Sequence, residues 1–226
     1  MRIAARFNGP PGSGNGGYSA GLVAAELGGA PAEVTLRRPP PLETELTVVR
    51  DASGSVRALA GDDLIAEARP VVGGRPAAVP PAGLPEAADA ATRYAGLTDH
   101  PFPTCYVCGP ARDDGLALFP GVLPDGRTAA PWRVPADVSP VTMWAALDCP
   151  GGWSVIAPNG GRPYVLGRLA VWLDTLPSPD DTCVVMGAYT GGEGRKAEVL
   201  STVYGPQGTI LATARATWIA LPQPVG

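Results

Sequence analysis

Asp148 is the residue whose neighbours best suit acid–base chemistry. It is the one carboxylate in the apolar stretch Trp144-Ala145-Ala146-Leu147-Asp148-Cys149-Pro150-Gly151-Gly152-Trp153. Burial among such residues disfavours the charged form and moves a carboxyl pKa towards working pH, where a general base that activates water is most effective. The same residue could instead cap a helix restarting at Pro150, since Asp is a favoured N-cap. Two glycine pairs, Gly16-Gly17 and Gly151-Gly152, stand at expected helix starts. There the backbone N–H groups are unpaired and the helix dipole favours negative charge, so they are candidate donors to a developing oxyanion. Tight turns that simply need Gly are the other reading. Trp144 and Trp153 flank Asp148 and could wall an apolar pocket.

Other chemistry is easier to set aside. His100 is the only histidine and lies in a Pro-rich segment, which argues against a Ser-His-Asp hydrolase. Cys105-Tyr106-Val107-Cys108-Gly109 is a CxxC with His100 five residues ahead, but no second CxxC follows. Asp113 or Asp114 would complete only a poor metal site, so the pair reads as two thiols in a tight knuckle, and no metal or cofactor is expected. Gly9-Pro10-Pro11-Gly12-Ser13-Gly14 has neither the Lys nor the Gly spacing of a phosphate loop. Arg37, Arg38, Arg195 and Arg215 are candidates for a phosphate clamp, with solvated or ion-paired arginine as the blander reading.

The bulk properties narrow the class further. A net charge of −4 excludes nucleic acid and an anionic membrane surface as evident partners. The 30 glycines and 27 prolines are about one residue in four, near the low-complexity range. With 45% hydrophobic and only 17% charged residues, however, the chain has the balance of a turn-rich globular protein. No apolar run of membrane-spanning length and no signal-peptide core is present. Four cysteines do not make a disulfide scaffold, so a reduced cytoplasm is the expected compartment.

An internal repeat organises these residues. Gly16-Gly17-Tyr18-Ser19 matches Gly151-Gly152-Trp153-Ser154 at an offset of 135, and Val34–Arg38 matches Leu169–Leu173 at the same offset. Leu64–Arg69 then faces Ile210–Arg215 with the offset grown to 146. Each copy reads as a short strand (around Ile3–Phe7; around Ala129–Val134), a helix, and several strands. Asn15 is the expected N-cap of the first helix, which Gly28-Gly29 ends. Ser139-Pro140 start the second, which Pro150 kinks or restarts. Leu46–Arg50, Cys183–Tyr189, Ala197–Tyr204 and Thr209–Ile219 have strand composition. The expected units are 1–75 and 129–226, joined by a Pro-rich connector, 76–128, with a short helix near Glu86–Tyr94, laid over one half. The fold class is α+β.

Gly14-Asn15-Gly16-Gly17-Tyr18-Ser19-Ala20-Gly21, followed by Val34-Thr35-Leu36-Arg37-Arg38-Pro39, resembles the thioesterase-like acyl-CoA hotdog superfamily. Trp144–Asp148 is similar to the helix of its double-hotdog, acyl-CoA thioesterase II type. The resemblance implies a double hotdog, two helices each wrapped by half of a continuous curved antiparallel sheet, that hydrolyses an acyl-CoA or related acyl thioester. Further association into a homo-oligomer is plausible for that type. In that family an Asp matching Asp148 is one of three groups that activate water. Asn15 stands where the usual residue is His, and Asn15 and Tyr18 would border the substrate. The partner Thr or Ser falls at Leu166-Gly167 and is missing; the partner Gln falls near Thr217, at best a substitute. An acyl-CoA-binding protein without catalysis, or a structural hotdog subunit, is the alternative.

Overall fold

Strands from both halves of the chain join one sheet. The computed structural model describes residues 1–222. The first half supplies β1 (Ala32–Leu36), β2 (Thr47–Arg50), β3 (Val56–Ala60) and β4 (Asp63–Pro70). The second supplies β5 (Gly121–Val122), β6 (Thr128–Arg133), β7 (Tyr164–Leu173), β8 (Thr182–Glu193), β9 (Lys196–Tyr204) and β10 (Ile210–Ala220). They form a 10-stranded sheet in the order β2-β3-β4-β1-β7-β10-β9-β8-β6-β5, with every pairing antiparallel. The two halves meet at β1 and β7, where Val34 pairs with Leu169. Those are the two residues that the sequence repeat makes equivalent.

Helices from both halves of the chain lie on one face of the sheet. α1 (Gly16–Ala25) starts at Asn15, whose Oδ1 accepts the Tyr18 N–H at 2.8 Å, and Gly28 follows its end at φ +77°, the left-handed region that favours glycine. α3 (Pro140–Ala146) starts at Ser139, whose Oγ accepts the Thr142 N–H at 3.3 Å. Pro150 restarts the helix as α4 (Cys149–Ile156), which is buried at every residue. α1 turns Ala20, Val23 and Ala24 towards the core while Tyr18 and Leu22 are only half-buried. Gly17 and Gly21, one turn apart, let α1 close onto α3: a Cβ at Gly21 would stand 2.8 Å from the Trp144 Cβ. Among the described residues no helix is long and apolar enough to cross a membrane.

Alternation along the strands divides the interior in two. Ala130 and Trp132 of β6 face the main core with the helices. Ala129 faces a second cluster, with Val184, Met186 and Tyr204, which α2 (Leu84–Thr92) covers through Ala87 and Ala90. The connector thus covers the outer face of the second half, anchored by Val79, which donates to Thr202 Oγ1 at 2.9 Å and accepts from the Tyr204 hydroxyl at 2.6 Å. Its later part, with Tyr94, Cys105–Cys108, Leu116 and Leu118, sits in the main core on the helix side.

The expected strand at Ile3–Phe7 is absent. Ala5–Phe7 is one turn of 3-10 helix, and the Gly-rich segment folds back so that the Asn15 N–H reaches the Phe7 carbonyl at 2.7 Å. Phe7 then stacks on Tyr18 with ring centroids 3.7 Å apart.

Candidate active site

Asp148 sits between α3 and α4, with its backbone in the right-handed helical region (φ −76°, ψ −75°), and its side chain makes no cap bond to α4. The carboxylate reaches a different helix start. Its Oδ2 accepts the Gly17 N–H at 2.8 Å and the Asn15 Nδ2–H at 3.1 Å, at the positive end of the α1 dipole. Oδ1 is buried and has no partner among the described residues. The whole residue is 2% exposed. Burial pushes its carboxyl up to about 7, against the Gly17 and Asn15 bonds, which lower it, and with Cys105 raising it further.

Asp148 lines a cavity of about 380 Å³ whose walls are mostly apolar. That volume is within the range of roughly 300–1,000 Å³ typical of small-molecule sites. Gly16, Leu166, Trp153 and Trp218 form parts of the wall, and Arg37 and Arg38, just past β1, line the cavity as well. Gly16 is the first residue of α1, and its N–H takes no partner among the described residues. The Gly17 N–H is already given to Asp148.

The remaining expected residues are placed as follows. Asn15 lines the cavity, holding Asp148 and capping α1 together. Trp153 lines it too. Trp144 packs instead at the α1–α3 contact, and Tyr18 packs on Phe7 and Tyr106 away from the cavity. Gly151 and Gly152 are packing glycines: a Cβ would meet the Val199 side chain at 2.7 Å or the Trp218 ring at 2.5 Å. Thr217 is on the outer face of the sheet, where its hydroxyl bonds both oxygens of Glu198 at 3.0 Å, beside Arg168, Arg215 and the buried Glu33. The pleat explains this, since Ala216 and Trp218 face the core and the residue between them must face out.

The fold brings to Asp148 a group that the sequence held apart from it. His100, Phe102, Cys105 and Cys108 of the connector and Cys149 of α4 also line the cavity. The sulfurs of Cys105, Cys108 and Cys149 lie within 4.8 Å of one another. Thiol hydrogen bonds from Cys108 and Cys149 hold Cys105 well below the ordinary thiol range, whereas burial pushes Cys108 and Cys149 well above it. Asp114, one suggested partner of the pair, is ion-paired to Arg112 at 2.6 Å instead. Only contacts across the fold, not spacing, bring Cys149 to the CxxC.

Replacing Asn15 tests this corner. Asn15→Ala removes the cap on Tyr18 and a donor to Asp148, and is expected to cost about 1–2 kcal/mol. Thermal unfolding should report a melting point lower by a few degrees, with Asn15→Ser recovering part of the loss because serine restores the cap alone.

No protein-family model and no curated protein matches the chain. Solved structures do. A hot dog fold protein of unknown function from Alicyclobacillus acidocaldarius superposes with a TM-score of 0.61 at 15% identity, covering 98% of this chain and 92% of that one. The tesB protein of Mycobacterium avium subs paratuberculosis gives 0.58 at 18% identity, covering 98% and 91%. Acyl-CoA thioesterase II TesB2 from Mycobacterium marinum gives 0.53 at 14% identity, covering 86% and 81%. At such identities the likeness carries architecture alone: the chain has the hotdog fold, shared over most of its length with solved structures that include an acyl-CoA thioesterase II.

Proposed function

We propose that this protein hydrolyses an acyl thioester, with acyl-CoA as the substrate class, by water activated at Asp148. The observation that carries the reading is the carboxylate itself. One oxygen is pinned by Gly17 and Asn15 and the other is unpartnered, in a residue that lines an apolar cavity of ligand size. A pinned oxygen fixes the direction of the other, so a water bonded to Oδ1 would be held for attack on a thioester carbon. Oδ1 takes the water proton as the C–O bond forms and returns it to the departing thiolate. The Gly16 N–H is the donor available to the carbonyl oxygen. Names of solved neighbours, among them acyl-CoA thioesterase II, favour the thioester over other acyl substrates.

The same reading takes the chain as a tandem of two hotdog units, 1–75 and 129–226, with 76–128 as the connector. The Val34–Leu169 pairing supports it, because a two-fold relation between the units would bring equivalent residues together at the seam.

The test is release of free thiol from short, medium and long acyl-CoAs. Saturable turnover with at least one chain length is the expected result. Absence of turnover across the series overturns hydrolysis, and saturable binding in its place would make the cavity an acyl-CoA-binding site without catalysis.

A further inference from the structure

The sulfurs beside Asp148 are surrounded by hydrogen-bond donors. Cys105 Sγ receives the Asn15 Nδ2–H at 3.7 Å. Cys108 Sγ receives the Trp153 Nε1–H at 3.5 Å and has His100 Nε2 at 3.4 Å. The Phe102 N–H donates to His100 Nδ1 at 2.8 Å, so in the neutral ring the proton is on Nε2 and points at the sulfur. Both cysteines are buried. Donors of this kind steady sulfur ligands once an ion has displaced their protons.

We propose that Cys105, Cys108 and Cys149 bind one divalent ion of the zinc class as three thiolates, leaving the fourth coordination position open to the cavity. The spacing fits. Tetrahedral ligands at a metal–sulfur distance of about 2.3 Å stand about 3.8 Å apart. Cys105 and Cys149 are 3.9 Å apart, and all three sulfurs fall within 4.8 Å. The knuckle is built for that arrangement. The Gly109 N–H closes onto the Cys105 carbonyl at 2.8 Å, and a Cβ at Gly109 would stand 2.7 Å from the same oxygen. The Leu116 and Leu118 N–H groups donate to the Tyr106 and Val107 carbonyls at 2.8 and 3.0 Å, bracing the knuckle against the following segment. Sulfur selects zinc over hard cations, and each thiol releases its proton to solvent as the ion binds. A three-ligand site open to a cavity is the arrangement of an accessible centre, unlike the closed four-ligand sites that only brace a fold. The proposal does not rest on thioester hydrolysis; the ion could bind whether or not Asp148 turns over a substrate.

Cobalt is the probe. Fully reduced, metal-stripped protein is titrated with Co²⁺ alone and then with Zn²⁺. The expected result is a near-ultraviolet thiolate-to-cobalt band that saturates at one ion per chain and is bleached by zinc. Cys149→Ser should weaken the affinity by about 100-fold or more, while Cys183→Ser, on β8, should match the parent. Absence of the band in the folded parent protein overturns the proposal without reference to any variant. So does a Cys149→Ser protein that binds cobalt as the parent does.

Discussion

Asp148→Asn is expected to fold and to lose acyl-CoA hydrolysis by a factor of roughly 10²–10⁴, the usual contribution of a positioned general base. The amide fits the same space, and its oxygen can still accept from Gly17 and Asn15, which bond a single carboxylate oxygen now. What changes is the other position. An NH₂ group replaces the unpartnered Oδ1 and cannot take a proton from water. The loss should appear in kcat with little change in KM, because the group acts in the transition state and not on the bound acyl chain. Turnover within a few-fold of the parent would remove Asp148 from the mechanism, even if hydrolysis itself were established.

Gly17→Ala should be strongly destabilising, because it puts a methyl group into the contact between α1 and α3. A Cβ there would lie 2.6 Å from both the Asp148 Cβ and the Trp144 carbonyl, and 3.1 Å from the Ala145 Cα. None of these is the loose end of a side chain, so α1 must move away from α3. Overpacking costs about 1–3 kcal/mol, and with rigid groups on the opposing side the upper value, about 3 kcal/mol, is expected. For a chain of this size that is a melting-point loss of roughly 6–12 °C. Gly74→Ala is the control, since nothing lies within 4 Å of a Cβ there, and it should change stability by no more than about 0.5 kcal/mol. The movement should also draw the Gly17 N–H from Asp148, so activity should fall in the same variant. Equal melting points for the two variants would show that α1 and α3 can separate freely.

Most of the frame was legible because it is written in local chemistry. Asn15, Ser139 and Pro150 fix helix starts through capping and the missing proline N–H, and all three act as their types require. The strands from Leu46 onward follow β-branched composition and turn glycines. Residues 3–7 hold one β-branched residue and are flanked only by the isolated bridges Arg2–Glu45 and Asn8–Gly14: Phe7 is taken up by Tyr18, and its carbonyl by Asn15. At the candidate site the burial of Asp148 was legible from its apolar sequence neighbours. Gly151 and Gly152 looked like donors, yet what they accommodate is the Val199 and Trp218 side chains, whose approach no local pattern encodes. Thr217 could have been placed by strand parity, since the pleat puts it opposite Trp218. Cys149 had no such clue. Its partners lie 44 and 41 residues earlier in the chain and meet it only after folding.

The pairing of β1 with β7 has a kinetic side. β2–β3–β4 and β8–β9–β10 join residues close in sequence, so their turns close cheaply. The seam joins Val34 to Leu169 across a span that makes it the long-range, high-contact-order step of folding. Its ends are kept at high effective concentration by the connector, which is also anchored on β9 through Val79 and Tyr204. A nick in the connector would therefore convert seam closure from an intramolecular step into one that depends on protein concentration.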